Sequence, residues 1–153
     1  MSVFFSRTLG AVVLGISLLG SAAFADLKAG GAYNSLYAGI GAKGYDVVSY
    51  FTDGRPEKGS ESYVVEFGGV KWQFASSAHR DLFKAKPEKY VPQFGGFCTW
   101  GVANGKLFDV DPASGWKIVD GKLYLNFNAD IEKVFDKDPA GFIARANSRW
   151  AQL

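Results

Sequence analysis

The chain has a single histidine, His79, and a single cysteine, Cys98, which lie 19 positions apart. Imidazole nitrogen and thiolate sulfur are the ligands that copper(I), zinc and other heavy metals prefer. A histidine can also activate a nearby cysteine as a nucleophile. The two residues therefore admit a metal site, a thiol-dependent enzyme, or an interpretation in which both side chains only pack.

A metal site would need further ligands. A closed structural zinc site takes four ligands, so one histidine and one cysteine are not enough. Asp46, Asp109, Asp111 or a tyrosine could complete an open site, and their spacing singles none of them out. Copper(I) could be held by the thiolate and imidazole alone. The only methionine is Met1, so a Met-rich copper carrier is not the model.

Enzyme motifs are absent from the sequence. Neither a Cys-x-x-Cys pair, a Gly-x-Ser-x-Gly elbow nor a phosphate-binding loop occurs. No Lys, Arg or His lies beside Cys98 in the segment GGFCTW, so the sequence offers no local cause for a lowered thiol pKa. No catalytic and no organic-cofactor residue is assigned, and a binding protein is favoured over an enzyme.

The first 25 residues have the pattern of a cleavable signal peptide. A single positive charge at Arg7 precedes an apolar run, which ends in Ala23-Phe24-Ala25, a small-x-small cleavage site. We expect cleavage after Ala25, a periplasmic or secreted protein, and no membrane insertion afterwards. Residues 26–43, rich in Gly and Ala, are expected to form an arm ordered in part by Leu36, Tyr37 and Ile40.

The composition is typical of one soluble domain with an aromatic core. Of 17 basic and 15 acidic residues only Arg7 lies in the signal peptide, and the basic residues are scattered, so no nucleic-acid partner is expected. One cysteine allows no disulfide within the chain, so packing of the 16% aromatic residues must hold the fold. The aromatic segment from Trp100 to Trp116, with Phe108, could instead hold a small apolar molecule or a protein partner.

The elements predicted from sequence form a small α+β domain over residues 44–153. Two strand pairs are joined by two-residue turns, Gly68-Gly69 in the first and Asp120-Gly121 in the second, which favour antiparallel hairpins. About three helices are expected, capped by Ser76, Asn128 and Asp138. The apolar stripe of the last helix comprises Phe142, Ile143, Ala146 and Trp150.

The segments YDVVSYF, FASSAHRDLF, PEKYVPQFGGFC and DGKLYLNFN, in this order, resemble the YHS domain family. Within that family the chain resembles the exported, stand-alone YHS proteins of bacteria, and the resemblance runs roughly from Gly44 to the C-terminus. In metal-binding relatives the matching segments carry three thiols. These fall on Ser49, Ala75 and His79 here, so only His79 retains a soft metal ligand at those positions.

The resemblance and the residues together favour an exported, non-enzymatic binding domain, with a metal ion (copper, zinc or another heavy metal) as the favoured ligand. If its ligand is a transition metal ion, we expect His79 and Cys98 to lie nearest to it, with Asp46 or Ser49 as oxygen partners. The alternatives are a metal-free domain that binds an apolar ligand or a protein through its aromatic loops, and a thiol-dependent enzyme that uses Cys98.

Overall fold

A computed structural model describes residues 33–153, so the predicted signal peptide and the first part of the arm lie outside the described residues. The strands are β1 (Ser60–Phe67), β2 (Val70–Phe74), β3 (Trp116–Val119) and β4 (Lys122–Leu125). The α-helices are α1 (Ser49–Thr52), α2 (Ser77–Ala85), α3 (Pro87–Tyr90), α4 (Thr99–Ala103), α5 (Ala129–Phe135) and α6 (Pro139–Trp150), and two 3-10 turns lie at Gly41–Gly44 and Phe94–Gly96.

Both predicted hairpins are present, each as a two-stranded antiparallel sheet. Gly68 and Gly69 have φ values of 63° and 78°, and Asp120 and Gly121 have values of 49° and 71°. Two consecutive positive φ values are what a type I′ turn requires, which explains why these dipeptides join the strands. The small α+β fold expected from the sequence is confirmed.

The three predicted helices begin at their predicted caps. The Ser76 hydroxyl accepts a hydrogen bond from the His79 backbone N–H, and Asn128 and Asp138 cap α5 and α6 in the same way. These side chains satisfy N–H groups that have no partner within the first turn. The apolar stripe of α6 joins a core cluster with Phe94 and Tyr124.

The described part of the chain also contains three short helices, α1, α3 and α4, that add to the predicted set. α4 lies in a glycine-rich aromatic segment where the sequence favours a loop, and it packs against α6. With five residues it cannot be stable by itself, so tertiary contact determines its conformation. None of the helices within residues 33–153 has the length and apolar character needed to cross a membrane.

Of the three residues expected to order the arm, Ile40 contacts the domain through a β-bridge to Lys71, whereas Leu36 and Tyr37 do not anchor it. Leu36 and Tyr37 are 72% and 52% exposed, whereas the Tyr33 ring lies edge-on to Trp72 with 5.3 Å between ring centroids. Asn34 is buried and its backbone N–H donates to the Gly95 carbonyl at 2.7 Å. The residues just before position 44 therefore pack on the domain.

Candidate functional site

His79 is paired with the buried carboxylate of Asp46. The His79 Nδ1 atom lies 2.6 Å from Asp46 Oδ2, and the Asp46 side chain is fully buried. Because a carboxylate only accepts hydrogen bonds, Nδ1 carries the proton and donates it. A carboxylate on one ring nitrogen fixes the orientation of the ring, an arrangement common for histidines that bind a metal or transfer a proton through the other nitrogen.

Backbone N–H groups hold the Asp46 carboxylate in place. Oδ1 accepts from Val48 N at 2.9 Å and from Ser49 N at 3.3 Å, and Oδ2 accepts from Ala75 N at 2.8 Å. These donors come from the start of α1, including its N-cap Val48, and from Ala75 just after β2, so Asp46 joins two segments distant in sequence. A buried charge with this many donors is compensated, which is the condition for keeping it in a core.

The other nitrogen of His79 faces Thr52 and Asp53. His79 Nε2 lies 3.2 Å from Thr52 Oγ1 and 3.7 Å from Asp53 Oδ2, and the histidine side chain is 14% exposed. The Thr52 hydroxyl also lies 3.2 Å from the Val48 carbonyl. With the ring proton on Nδ1, Nε2 of the neutral imidazole is an acceptor, so the single Thr52 proton serves either Nε2 or the Val48 carbonyl at one time.

The Ser49 hydroxyl is hydrogen-bonded within its own turn. Its hydroxyl donates to the Asp46 backbone carbonyl at 2.7 Å, within the turn that begins α1. Ser49 is fully buried. Its observed role is to close this turn, beside the carboxylate that holds the histidine.

Cys98 caps α4 and is completely buried. Its sulfur accepts from Gly101 N at 3.4 Å and donates to Asn126 Oδ1 at 3.7 Å. Burial raises the pKa of the Cys98 thiol, although backbone N–H groups such as that of Gly101 act in the opposite direction. A buried thiol with a raised pKa has little thiolate, the form that attacks electrophiles and binds metals.

Asn126 links Cys98 to a buried glutamate on α5. Its side-chain oxygen also accepts from Trp100 N at 3.1 Å, and its Nδ2 donates to Glu132 Oε2 at 2.7 Å. Glu132 is 9% exposed, and its Oε1 has no hydrogen-bond partner among residues 33–153. Burial raises the pKa of Glu132 and outweighs the hydrogen bond from Asn126, which lowers it.

An apolar cleft of about 200 Å³ lies next to this polar chain. Its lining residues are Trp100 of α4, Phe108 of the following loop, Phe127 just after β4, and Ile131 of α5. Trp100 and Phe108 are stacked with centroids 6.3 Å apart, and Phe127 meets Phe108 edge-on at 6.4 Å. Phe127 is 50% exposed, so the cleft opens to the surface.

Gly101 allows the close approach of Phe108 to α4. A Cβ atom at position 101 would lie 2.7 Å from Phe108 Cδ2 and 3.0 Å from the Lys106 carbonyl oxygen. Both distances are shorter than a normal van der Waals contact. The absence of a side chain at this position therefore sets where the Phe108 wall of the cleft stands.

The structure places the four metal candidates from the sequence in two sets of contacts. His79, Asp46 and Ser49 belong to one set, and Cys98 belongs to the other, with no shared hydrogen-bond partner in the described chain. Asp46 and Asp53 lie at opposite nitrogens of the imidazole, so these three side chains do not converge on one point. Accordingly, no group of three or more His, Cys, Asp or Glu side chains within residues 33–153 could hold a metal ion.

Sequence reasoning named Trp100 and Phe108 as ligand-binding aromatics but missed several neighbours. Trp116 lies outside the cleft lining, because its ring packs against Tyr50 at 5.0 Å. The residues missed around both sites are Thr52, Asp53, Asn126, Phe127, Ile131 and Glu132. Phe127 and Asn126 stand in the quoted segment DGKLYLNFN, yet a strand end carries no sign that one residue is buried and the next half-exposed.

Asn126 should be worth more to stability than an exposed asparagine. In Asn126→Leu the Trp100 N–H and the Glu132 carboxylate both lose a buried partner, so we expect a loss of about 3 kcal/mol in the free energy of unfolding. The double variant Asn126→Leu/Glu132→Leu should recover part of that loss, because the unpaired carboxylate is removed as well. Urea unfolding measures both. The substitution Asn147→Leu at an exposed position is the control, with an expected change below about 0.5 kcal/mol. Strictly additive losses in the double variant would contradict an energetic coupling between Asn126 and Glu132.

Cys98 should react slowly with iodoacetamide in the folded protein. Its burial and raised pKa predict alkylation at least about a hundredfold slower than in the urea-unfolded chain. Mass spectrometry of timed samples gives the rate. Alkylation rates of the native and unfolded protein within a few-fold of each other would show an accessible thiolate. That result would support the hypothesis of a thiol-dependent enzyme.

Comparison of the chain with family models, curated proteins and solved structures found no match. The resemblance to YHS domains therefore stays a prediction from the sequence segments that carry it.

Proposed function

We propose that the protein is an exported, non-enzymatic binding domain that holds a small apolar or planar molecule in the cleft of Trp100, Phe108, Phe127 and Ile131. The observation that carries the proposal is the cleft itself: three aromatic rings and one aliphatic side chain surround an open volume of about 200 Å³. Apolar, largely pre-formed concavities are typical of small-molecule sites. A dry cavity of roughly 150 Å³ holds benzene, so this one suits a single ring or a compact aliphatic group.

The position of the cleft supports a binding role over simple coverage of the core. Its walls come from α4, the loop after it, the end of β4 and α5, and the hydrogen bonds of Asn126 fix three of these segments together. A site held by buried hydrogen bonds needs little ordering when a ligand enters. Phe127 is half-exposed, so the cleft is open to solvent at this ring. Aromatic residues that only covered the core would leave no such opening.

The thiol-dependent enzyme receives no support from the geometry. Cys98 is fully buried, its partners are Asn126 and Gly101, and the imidazole of His79 is engaged with Asp46, Thr52 and Asp53. A nucleophile and its base need to lie within hydrogen-bond reach of one another. The cleft therefore supports binding better than the cysteine supports catalysis.

Binding of a neutral single-ring probe tests the proposal. Toluene added to the protein should shift the NMR signals of the Trp100 indole N–H and the Ile131 methyl groups, with saturation in the millimolar range or below. Phe127→Ala should weaken binding about fivefold, since an aromatic contact is worth on the order of 1 kcal/mol. Tyr37→Ala, which removes an exposed ring of the arm, is the matched control and should bind normally. Shifts spread over the surface without saturation would refute a specific cleft site.

A second candidate function is the binding of a transition metal ion at His79. The Asp46–His79 hydrogen bond favours it, since the carboxylate fixes the ring and leaves Nε2 facing Thr52 and the Asp53 carboxylate. Two protein ligands, His79 Nε2 and Asp53, would hold copper or zinc weakly, with water or a partner's ligand completing the shell. Cys98 has no place in this arrangement.

Metal titration separates this candidate from the one expected from sequence. If the His79 site binds, calorimetric titration with zinc or copper(II) should lose its heat signal in His79→Ala and weaken about tenfold or more in Asp53→Asn, while Cys98→Ser remains unchanged. Loss of binding in Cys98→Ser would instead restore the thiolate site. Equal heats of binding in the wild type and all three variants, or no heat in any of them, would refute both the His79 site and the Cys98 site.

A further inference from the structure

Glu132 is a buried carboxylate whose hydrogen bonding is incomplete. Oε2 accepts from Asn126, but Oε1 is fully enclosed and has no partner among the residues that the structure describes. A buried acid that serves only packing is costly compared with an apolar residue of similar size. A half-satisfied acid in an otherwise well-paired cluster suggests that its charge has a use.

Short connections tie this carboxylate to the cleft. Glu132 directly follows Ile131, and its partner Asn126 directly precedes Phe127. The Asn126 oxygen in turn accepts the backbone N–H of Trp100. Three of the four lining residues are thus within one residue or one hydrogen bond of the Asn126–Glu132 pair, so the carboxylate is linked to the walls of the cleft by short connections.

Neighbouring cations leave the charge of Glu132 largely uncompensated. Lys117 is the cation that acts on it, and Lys117 forms an ion pair with Asp136, whose own charge opposes it. Lys133, next in the helix, pairs with Asp130 at 3.1 Å and is mostly exposed. Each of these two lysines is therefore matched by an aspartate and does not pair with Glu132. Burial raises the pKa of this carboxyl, and a cation bound in the cleft would favour its ionised form.

We propose that the ligand of the cleft is an organic cation, such as a small alkylated ammonium group, held against the faces of Trp100, Phe108 and Phe127 with Glu132 as its counter-charge. This inference rests on the proposed binding function. Aromatic faces attract cations because of the negative potential above the ring, and a set of such rings is the usual site for alkylated ammonium groups. The apolar lining suits the methyl groups of such a ligand, and the buried carboxylate linked to its walls through Asn126 selects for positive charge.

A pair of probes with the same shape tests the charge. Choline and 3,3-dimethyl-1-butanol differ in one atom, a quaternary nitrogen in place of a quaternary carbon, so the two should fill the cleft alike. We expect choline to bind at least about tenfold more tightly to the intact protein in an NMR titration followed at Trp100 and Ile131. Equal binding, or a preference for the neutral alcohol, would overturn the inference and leave the proposed apolar site standing.

Variants assign the preference to Glu132. Glu132→Gln keeps the shape of the side chain and should bring the choline and alcohol affinities to within about threefold of each other. Asp130→Asn removes an exposed carboxylate from the same helix and should leave the tenfold preference intact. A choline preference that persists in Glu132→Gln would overturn the role of this residue. If choline, the alcohol and toluene all fail to bind, the proposed cleft function itself is refuted. The comparison of choline with the alcohol in the wild-type protein tests the preference for positive charge even if a variant folds poorly.

Discussion

The hydrogen bonds of Asn126 are the constraint on which this domain depends most. The residue is completely buried, and its backbone donates to Gly115 at 2.7 Å and accepts from Asp111 at 3.1 Å. Its side chain accepts from the Trp100 N–H and the Cys98 sulfur and donates to Glu132. One amide thus sets the start of α4, the end of β4, the loop before β3 and the position of α5. Because unpaired polar groups in a core are costly, these segments must keep their positions together.

Asp46 plays the corresponding role in the other half of the molecule. Its carboxylate accepts from backbone N–H groups of α1 and of the residue after β2, and from the His79 ring on α2. Both halves therefore use one buried polar side chain to satisfy the backbone where the chain leaves a strand or begins a short helix. The two candidate sites stand beside these anchors, since an anchor of this kind leaves neighbouring side chains fixed and partly accessible.

Local signals in the sequence were enough for the hairpins and the capped helices. A Gly-Gly or Asp-Gly turn and a Ser, Asn or Asp cap act within a few residues, so Gly121 and Ser76 could be interpreted from their immediate neighbours. The sites depend on contacts that no local pattern carries. Asp46 and His79 are 33 positions apart, and Trp100 and Asn126 are 26 apart. The pairing of His79 with Cys98 was attractive because both are unique in the chain, but uniqueness says nothing about distance in space.

The residue at position 101 of α4 controls the volume of the cleft, although it does not line the cleft. The walls of the cleft are large side chains, but the position of the Phe108 ring depends on Gly101 having no side chain. A methyl group at position 101 would stand 2.7 Å from that ring. The capacity of the cleft is therefore encoded at a residue that no ligand would touch. Relatives that differ from this chain at position 101 would enclose a different volume with the same lining, so the smallest residue in the region governs the size of the molecule that the domain accepts.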